Sequence, residues 1–348
     1  MGTECLRCNQ IGQIHFRLHL VVFAALPVVL SLHVSNAMST HSPLLAANDI
    51  LKHETTLDSV NEVTLKCNYK MEGPMYICRL NKVNFTKDAE VTSVSGTHLN
   101  GKTNADVRGI HFQSGEMDSL PNGIGNFFKN IVALVAGEDY QKPLTLKTVN
   151  RTSLKQLNKV ELLSIFTTAI VGLENDAFWD LPNLRDFLLS GTGTIVLNEK
   201  LFQKNERIKE IVLLGLRLTS IPATLFENNA HLRAVYLQNC DIQSVDENVF
   251  TTNKNLNLVS IRSNKIQSLP KNLFKNNLLL EVIDFSENIL KTIDIDFTKF
   301  ELIDSIDLED NVCIDAYFEA DSHRFVGSFN NMTEFQSVIS KNCTSHLY

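Results

Sequence analysis

One stretch, Leu201–Asn311, constrains the chain more than any other. Set in register it reads LFQKNERIKEIVLLGLRLTSIPAT, LFENNAHLRAVYLQNCDIQSVDEN, VFTTNKNLNLVSIRSNKIQSLPKN and LFKNNLLLEVIDFSENILKTIDID, so the same word returns every 24 residues. Its skeleton is L-x-x-L-x-L-x-x-N-x-I-x-x-I/L-P-x-x-L-F. Within each word a short run such as Val235-Tyr236-Leu237 alternates apolar positions. That predicts a strand with Val235 and Leu237 facing in and Tyr236 facing out. Asn264, Asn288 and Asn311 fall in the apolar rhythm, and a buried amide requires partners, which the backbone of a stacked turn supplies. Cys240 takes that position in one word, where a small buried thiol fits. The pairs Leu201-Phe202, Leu225-Phe226, Val249-Phe250 and Leu273-Phe274 close the far side of the core. One word cannot bury its own apolar side, so successive words must stack.

The period and skeleton resemble the extracellular, typical class of leucine-rich repeats found in Toll-type receptor ectodomains and their secreted relatives. The resemblance rests on Leu213, Leu237, Ile261, Phe285 and Leu308 as strand residues and on Phe226, Phe250 and Phe274 as the outer phenylalanine. The leading module CNYKMEGPMYICRL, followed by VRGIHFQSGEMDSLPNGIGNFF, resembles secreted leucine-rich repeat proteins of mosquitoes and midges. The resemblance implies an α/β-type solenoid: a right-handed leucine-rich repeat horseshoe of about nine units, with a parallel sheet on its concave face. It also implies protein recognition, with innate immunity among the settings.

The array reaches back to Val107. Val107-x-x-Ile110-x-Phe112 opens a unit that closes at Phe127-Phe128. Ile131-x-x-Leu134-x-Ala136 opens a longer one, whose extra residues lie around Gln141–Leu157 and predict a bulge or local loop. The residues expected at the Asn position are Gly115, Asp139, Thr168, Thr192, Leu216, Cys240, Asn264, Asn288 and Asn311, with Thr supplying part of the bonding of Asn. The expected organisation is 1–37 signal peptide, 38–60 lead-in, 61–106 a β-rich cap, 107–311 repeats and 312–348 a second cap. In the first cap a hairpin is expected around Glu72-Gly73-Pro74 with a further strand at Val91–Val94. In the second, helical steps are expected around Tyr317 and Phe335–Ile339.

At the N-terminus, Arg7 and Arg17 precede an apolar run, Leu18–Val34, and Ser35 and Ala37 stand at −3 and −1 of a cleavage point. The run falls short of the about 20 residues of a membrane span. Cleavage leaves no membrane span and predicts a secreted, extracellular product. Cys67 and Cys78 lie just before the array, and Cys313 and Cys343 follow it. Two local pairs at the two exposed ends of a solenoid predict two disulfides in an oxidising compartment. Sequons at Asn84, Asn150, Asn331 and Asn342 predict glycosylation.

The net charge of −7 excludes a nucleic-acid surface. No nucleophile elbow, zinc motif or phosphate loop occurs, and His111, His231 and His323 are scattered, so no enzyme, cofactor or metal is expected. Function is left to the outward residues of the strands. They run His111, Gln113, Ser114; Ser164, Phe166, Thr167; Leu188, Ser190, Gly191; Val212, Leu214, Gly215; Tyr236, Gln238, Asn239; Ser260, Arg262, Ser263; Asp284, Ser286, Glu287; Asp307, Glu309, Asp310. Leu188, Val212, Leu214 and Tyr236 make an apolar strip, a plausible contact surface. Asp284, Glu287, Asp307, Glu309 and Asp310 crowd like charges that suit a basic protein or peptide, or a divalent cation, or else form a solvated acidic face. The leading expectation is a protein or glycoprotein ligand on this face, in immunity, adhesion or receptor modulation. A structural matrix role and microbial-surface or polysaccharide binding are the alternatives, and pairing of two copies is compatible with all three.

Overall fold

The computed structural model describes residues 61–138, 144–218, 220–320 and 329–344. The signal segment, the lead-in, Asp139 and parts of both the long unit and the second cap lie outside the described residues. The chain's main unit comprises Asn61–Lys70 and Tyr76–Tyr348, and Met71–Met75 falls outside it.

The repeated word folds as an ascending stack. Neighbouring strands from Gly109–Phe112 through Ala133–Ala136, Leu162–Thr167, Asp186–Gly191, Glu210–Leu214, Ala234–Gln238, Leu258–Ser260 and Val282–Asp284 to Ser305–Asp307 pair in parallel. They belong to one 12-stranded sheet, closed at its far edge by Tyr317–Glu319 running antiparallel to Ser305–Asp307. Tyr317 therefore sits in a strand and not in the helix the sequence suggested, because the last parallel strand offers unpaired backbone groups that an antiparallel partner satisfies. Register is strict: Ile211 pairs with Val235 and Leu213 with Leu237, and these inward residues are fully buried. Opposite them Phe178, Phe202, Phe226, Phe250 and Phe274 form a spine with ring centroids 5.7, 6.4, 6.0 and 5.9 Å apart. Each such buried side chain contributes about 1.5–3 kcal/mol of apolar burial.

Two asparagine ladders hold the turns. Asn264 Oδ1 accepts from the Cys240 and Ile242 amides at 3.0 Å each, and its Nδ2 donates to the carbonyls of Leu237, Ile261 and Arg262. Asn288 and Asn311 repeat the arrangement one and two units on. The preceding residue makes this possible. Asn239, Ser263, Glu287 and Asp310 have φ between 53° and 57°, and Gly215 has φ 74°, so the chain leaves the strand there and the next side chain swings inward. The second ladder went unread in the sequence. Asn205, Asn229, Asn253 and Asn277, fully buried, each donate to two carbonyls of the preceding turn. All four belong to the words LFQKN, LFENN, VFTTN and LFKNN.

Thr168 and Thr192 do not take the asparagine role. Both are exposed. Their strands lack the left-handed residue and run one position further than Glu210–Leu214 and Ala234–Gln238, to Thr167 and Gly191. In that unit Thr167, 5 % exposed and expected to face out, faces in: its Oγ1 accepts from the Leu146 amide at 2.8 Å and donates to the Leu146 carbonyl at 3.0 Å. The longer unit also departs from expectation. Its described extra residues form a strand, Leu144–Val149, in a second, four-stranded sheet with Val83–Phe85, Gly115–Ser119 and Gly172–Leu173. After it Arg151 reaches Asp180 with two nitrogens, at 2.8 and 3.1 Å, and Asp176 with a third at 3.1 Å, clamping the unit to the next.

Both caps are stapled as expected, with Cα atoms 5.0 Å apart for Cys67–Cys78 and 5.2 Å for Cys313–Cys343. The first cap is β-rich, and Ala89–Ser95 contains the expected strand. In the second, the helix Met332–Asn342 is capped by Asn331, whose Oδ1 accepts from the Thr333 and Glu334 amides, and it buries Phe335 and Ile339. Cys240 is fully buried, and burial pushes its thiol up to about 12, which keeps it unreactive. Among the described residues no helix is long and apolar enough to cross a membrane.

Candidate binding face of the long sheet

Parallel pairing without slippage turns the outward position of each strand into a row across the sheet. The row runs Arg79, His111, Val135, Ser164, Leu188, Val212, Tyr236, Ser260, Asp284 and Asp307, each paired with the next. A parallel row runs alongside it with Phe166, Ser190, Leu214 and Gln238 in register. The sequence reading placed most of these side chains correctly on one face. It missed Arg79, assigned to the cap although Cys78, Arg79 and Leu80 alternate, and Val135, because no outward residue of the long unit was named.

The apolar strip is less open than its outward position suggested. Leu188, Val212 and Tyr236 are 2 %, 1 % and 7 % exposed, although they stand outside the main core. Parallel strands set equivalent side chains at about 5 Å, so flanking neighbours in the row shield one another. Phe166, Leu214, Gln238 and Arg262 are half-buried, and they form the accessible shoulder of the strip.

Toward the C-terminal end the row becomes polar and bonded. Gln238 Nε2 donates to Ser260 Oγ at 2.7 Å, and Ser260 Oγ donates to Asp284 Oδ2 at 2.8 Å. Asp284 Oδ1 accepts from the amide and hydroxyl of Ser286. Arg262 pairs with Glu287. Asp284, Asp307 and Glu309 are half-buried, whereas Glu287 and Asp310 are exposed. Burial, reinforced by the charge of Asp284, raises the Asp307 carboxyl to about 6. The opposite end carries Arg79 and His111 beside Glu138. His111, 3 % exposed, lies 3.3 Å from the Gly137 carbonyl, and Arg79 pairs with Glu138 at 3.4 Å. Burial, with Arg79 adding to it, lowers His111 to about 4, so the ring is neutral at physiological pH.

Chemically the face is a graded strip, apolar in the middle and anionic at one end. Among the described residues no group of His, Cys, Asp and Glu is arranged to hold a metal ion. The sequon asparagines lie outside the strands of the long sheet: Asn84 in Val83–Phe85, Asn150 after Leu144–Val149, Asn331 at the helix cap and Asn342 at the helix end.

A stacked solenoid of this build is typical of protein-interaction modules. The chain belongs to the BspA type leucine-rich repeat region family, whose model matches in six copies over residues 138–257, 171–303 and 219–346. No curated protein matches it. Among solved structures it is similar to the Toll–Spatzle complex of Drosophila, with 17% identity, a TM-score of 0.36, and coverage of 64% of this chain and 36% of that one. An internalin, inlF, of Listeria monocytogenes is 14% identical with a TM-score of 0.46, over 59% of this chain and 55% of that one. A complex of Latrophilin 3, Unc5D and FLRT2 is 18% identical with a TM-score of 0.44, over 59% and 68%. The chain thus spans about a third of the Toll structure's length. At such identities and scores nothing about this chain's partners follows from them.

Proposed function

We propose that this chain is an exported recognition protein that binds a protein or glycoprotein ligand on the outer face of the long sheet. The observation that carries the reading is the unbroken register from Leu188 to Asp307, which sets an apolar strip and an anionic end on one line. Such a line fits a ligand with an apolar centre and a basic end. The two disulfides support an oxidising, extracellular setting. The resemblance of the leading module to secreted insect leucine-rich repeat proteins favours a role in extracellular immunity, adhesion or receptor modulation over a purely structural one.

The test begins with the full chain immobilised and exposed to the extracellular fluid of its source. A captured protein is identified, purified and titrated in solution. Stoichiometric binding lost in Leu214→Asp and weakened in Asp307→Asn supports the reading. Both side chains are accessible enough that neither change empties the core. Binding untouched by either variant removes this face from the account.

A further inference from the structure

We propose that Asn84 carries an N-linked glycan that covers the open edge of the four-stranded sheet. The inference rests on the reading of the chain as exported. Asn84 is the middle residue of the strand Val83–Phe85, exposed between two buried neighbours. Among the described residues that strand is an edge of its sheet, bordered by Gly115–Ser119. The Val83 amide donates inward to the Ser114 carbonyl at 3.0 Å. In a parallel pair alternate residues bond to the same neighbour, so the amide and carbonyl of Asn84 face the free edge. An open edge invites pairing with another chain, and bulk attached at its centre blocks that pairing. The sequon is completed by Thr86, which is also exposed.

The other three sequons are built differently. Asn150 is half-buried, and its Oδ1 accepts from both the amide and the hydroxyl of Ser153 at 2.8 Å. Asn331 spends its Oδ1 capping a helix. Asn342 abuts the buried, disulfide-bonded Cys343. Only Asn84 offers an outward side chain in the middle of a regular, unbranched segment with no structural duty.

The experiment expresses the full chain through a secretory host and maps glycopeptides before and after peptide N-glycosidase treatment, with the disulfides assigned from the same digests. The expected result is a glycan on Asn84. Asn84→Gln and Thr86→Ala should each remove the same single glycan mass from the secreted protein. An unmodified Asn84 in protein whose Cys67–Cys78 and Cys313–Cys343 bonds are formed overturns the proposal and leaves the exported reading standing. Reduced thiols with all four sequons bare overturn the exported reading and the proposal with it.

Discussion

The two halves of the array solve one problem in different ways. From Leu201 onward the four regular units repeat a left-handed residue, a buried phenylalanine and a buried Asn behind it, and from Val249 a buried Asn after the strand joins them. From Val107 to Ile195 the same backbone groups are met by parts that occur once: Thr167 on Leu146, Ser153 on the Leu120 carbonyl at 2.5 Å, the Arg151 clamp, and a second sheet. Repetition fixes what a turn needs. A unit that departs from the word must find each partner separately, and it does so with local side chains that no period announces.

The largest difference between the halves is expected in the core. Phe226 lies in a stack, 6.4 Å from Phe202 and 6.0 Å from Phe250, which resists collapse into a cavity. Phe226→Ala should cost about 4.5 kcal/mol and Leu154→Ala, in the irregular half, about 3 kcal/mol. Denaturant unfolding checks both, followed by fluorescence of the single tryptophan, Trp179. Equal or reversed costs would mean that the spine adds nothing beyond ordinary burial.

The ladders come next. Asn264→Ala strips two amides of their acceptor and three carbonyls of a donor, and should cost about 3 kcal/mol. Thr167→Val removes a two-bond contact of the same kind and should cost about 1.5 kcal/mol. Hydrogen exchange should show faster exchange at Cys240 and Ile242 in the first variant and at Leu146 in the second. Protection that persists at those amides would show that the turns do not depend on these side chains.

These parts were unequally legible. The fold, the array's strands and the inward residues follow from periods of 24 and 2, and both disulfides from the places of four cysteines at the ends of the array. The second asparagine ladder was equally periodic in LFQKN, LFENN, VFTTN and LFKNN, yet Asn next to Phe reads as loop polarity until the backbone shows it buried. Thr168 looked like the ladder residue because counting by 24 lands on it, but count alone does not reveal a missing left-handed residue. The face itself was read from alternation, which gives direction and not exposure. Direction held for Leu188 and Val212, whereas their burial depends on how tightly the neighbouring rows pack.

The smallest expected effects set the two ends of the row against each other. Asp307 is raised to about 6 in the folded chain, so between the ordinary carboxylate range and pH 6 the folded state holds more protons than the unfolded one. Its contribution to stability therefore falls as pH rises through that window. His111 is lowered to about 4, so between pH 4 and its ordinary value near 6.5 the unfolded state holds more protons, and its contribution rises with pH. The opposing slopes partly cancel in the wild type. Asp307→Asn should remove the falling term and steepen the gain in stability between pH 4 and 6, by about 1 kcal/mol after allowance for its partial exposure. His111→Gln keeps a donor for the Gly137 carbonyl and should flatten or reverse the slope, by about 2 kcal/mol. Denaturation midpoints at pH 4, 5, 6 and 7 read both variants. Two variants that move the slope in the same direction would break the assignment of a neutral ring at one end of the face and a protonatable carboxyl at the other. If the slopes separate as expected, a ligand that brings a cation to Asp307 should bind more tightly as the pH rises through 6, and Asp307→Asn should abolish that dependence.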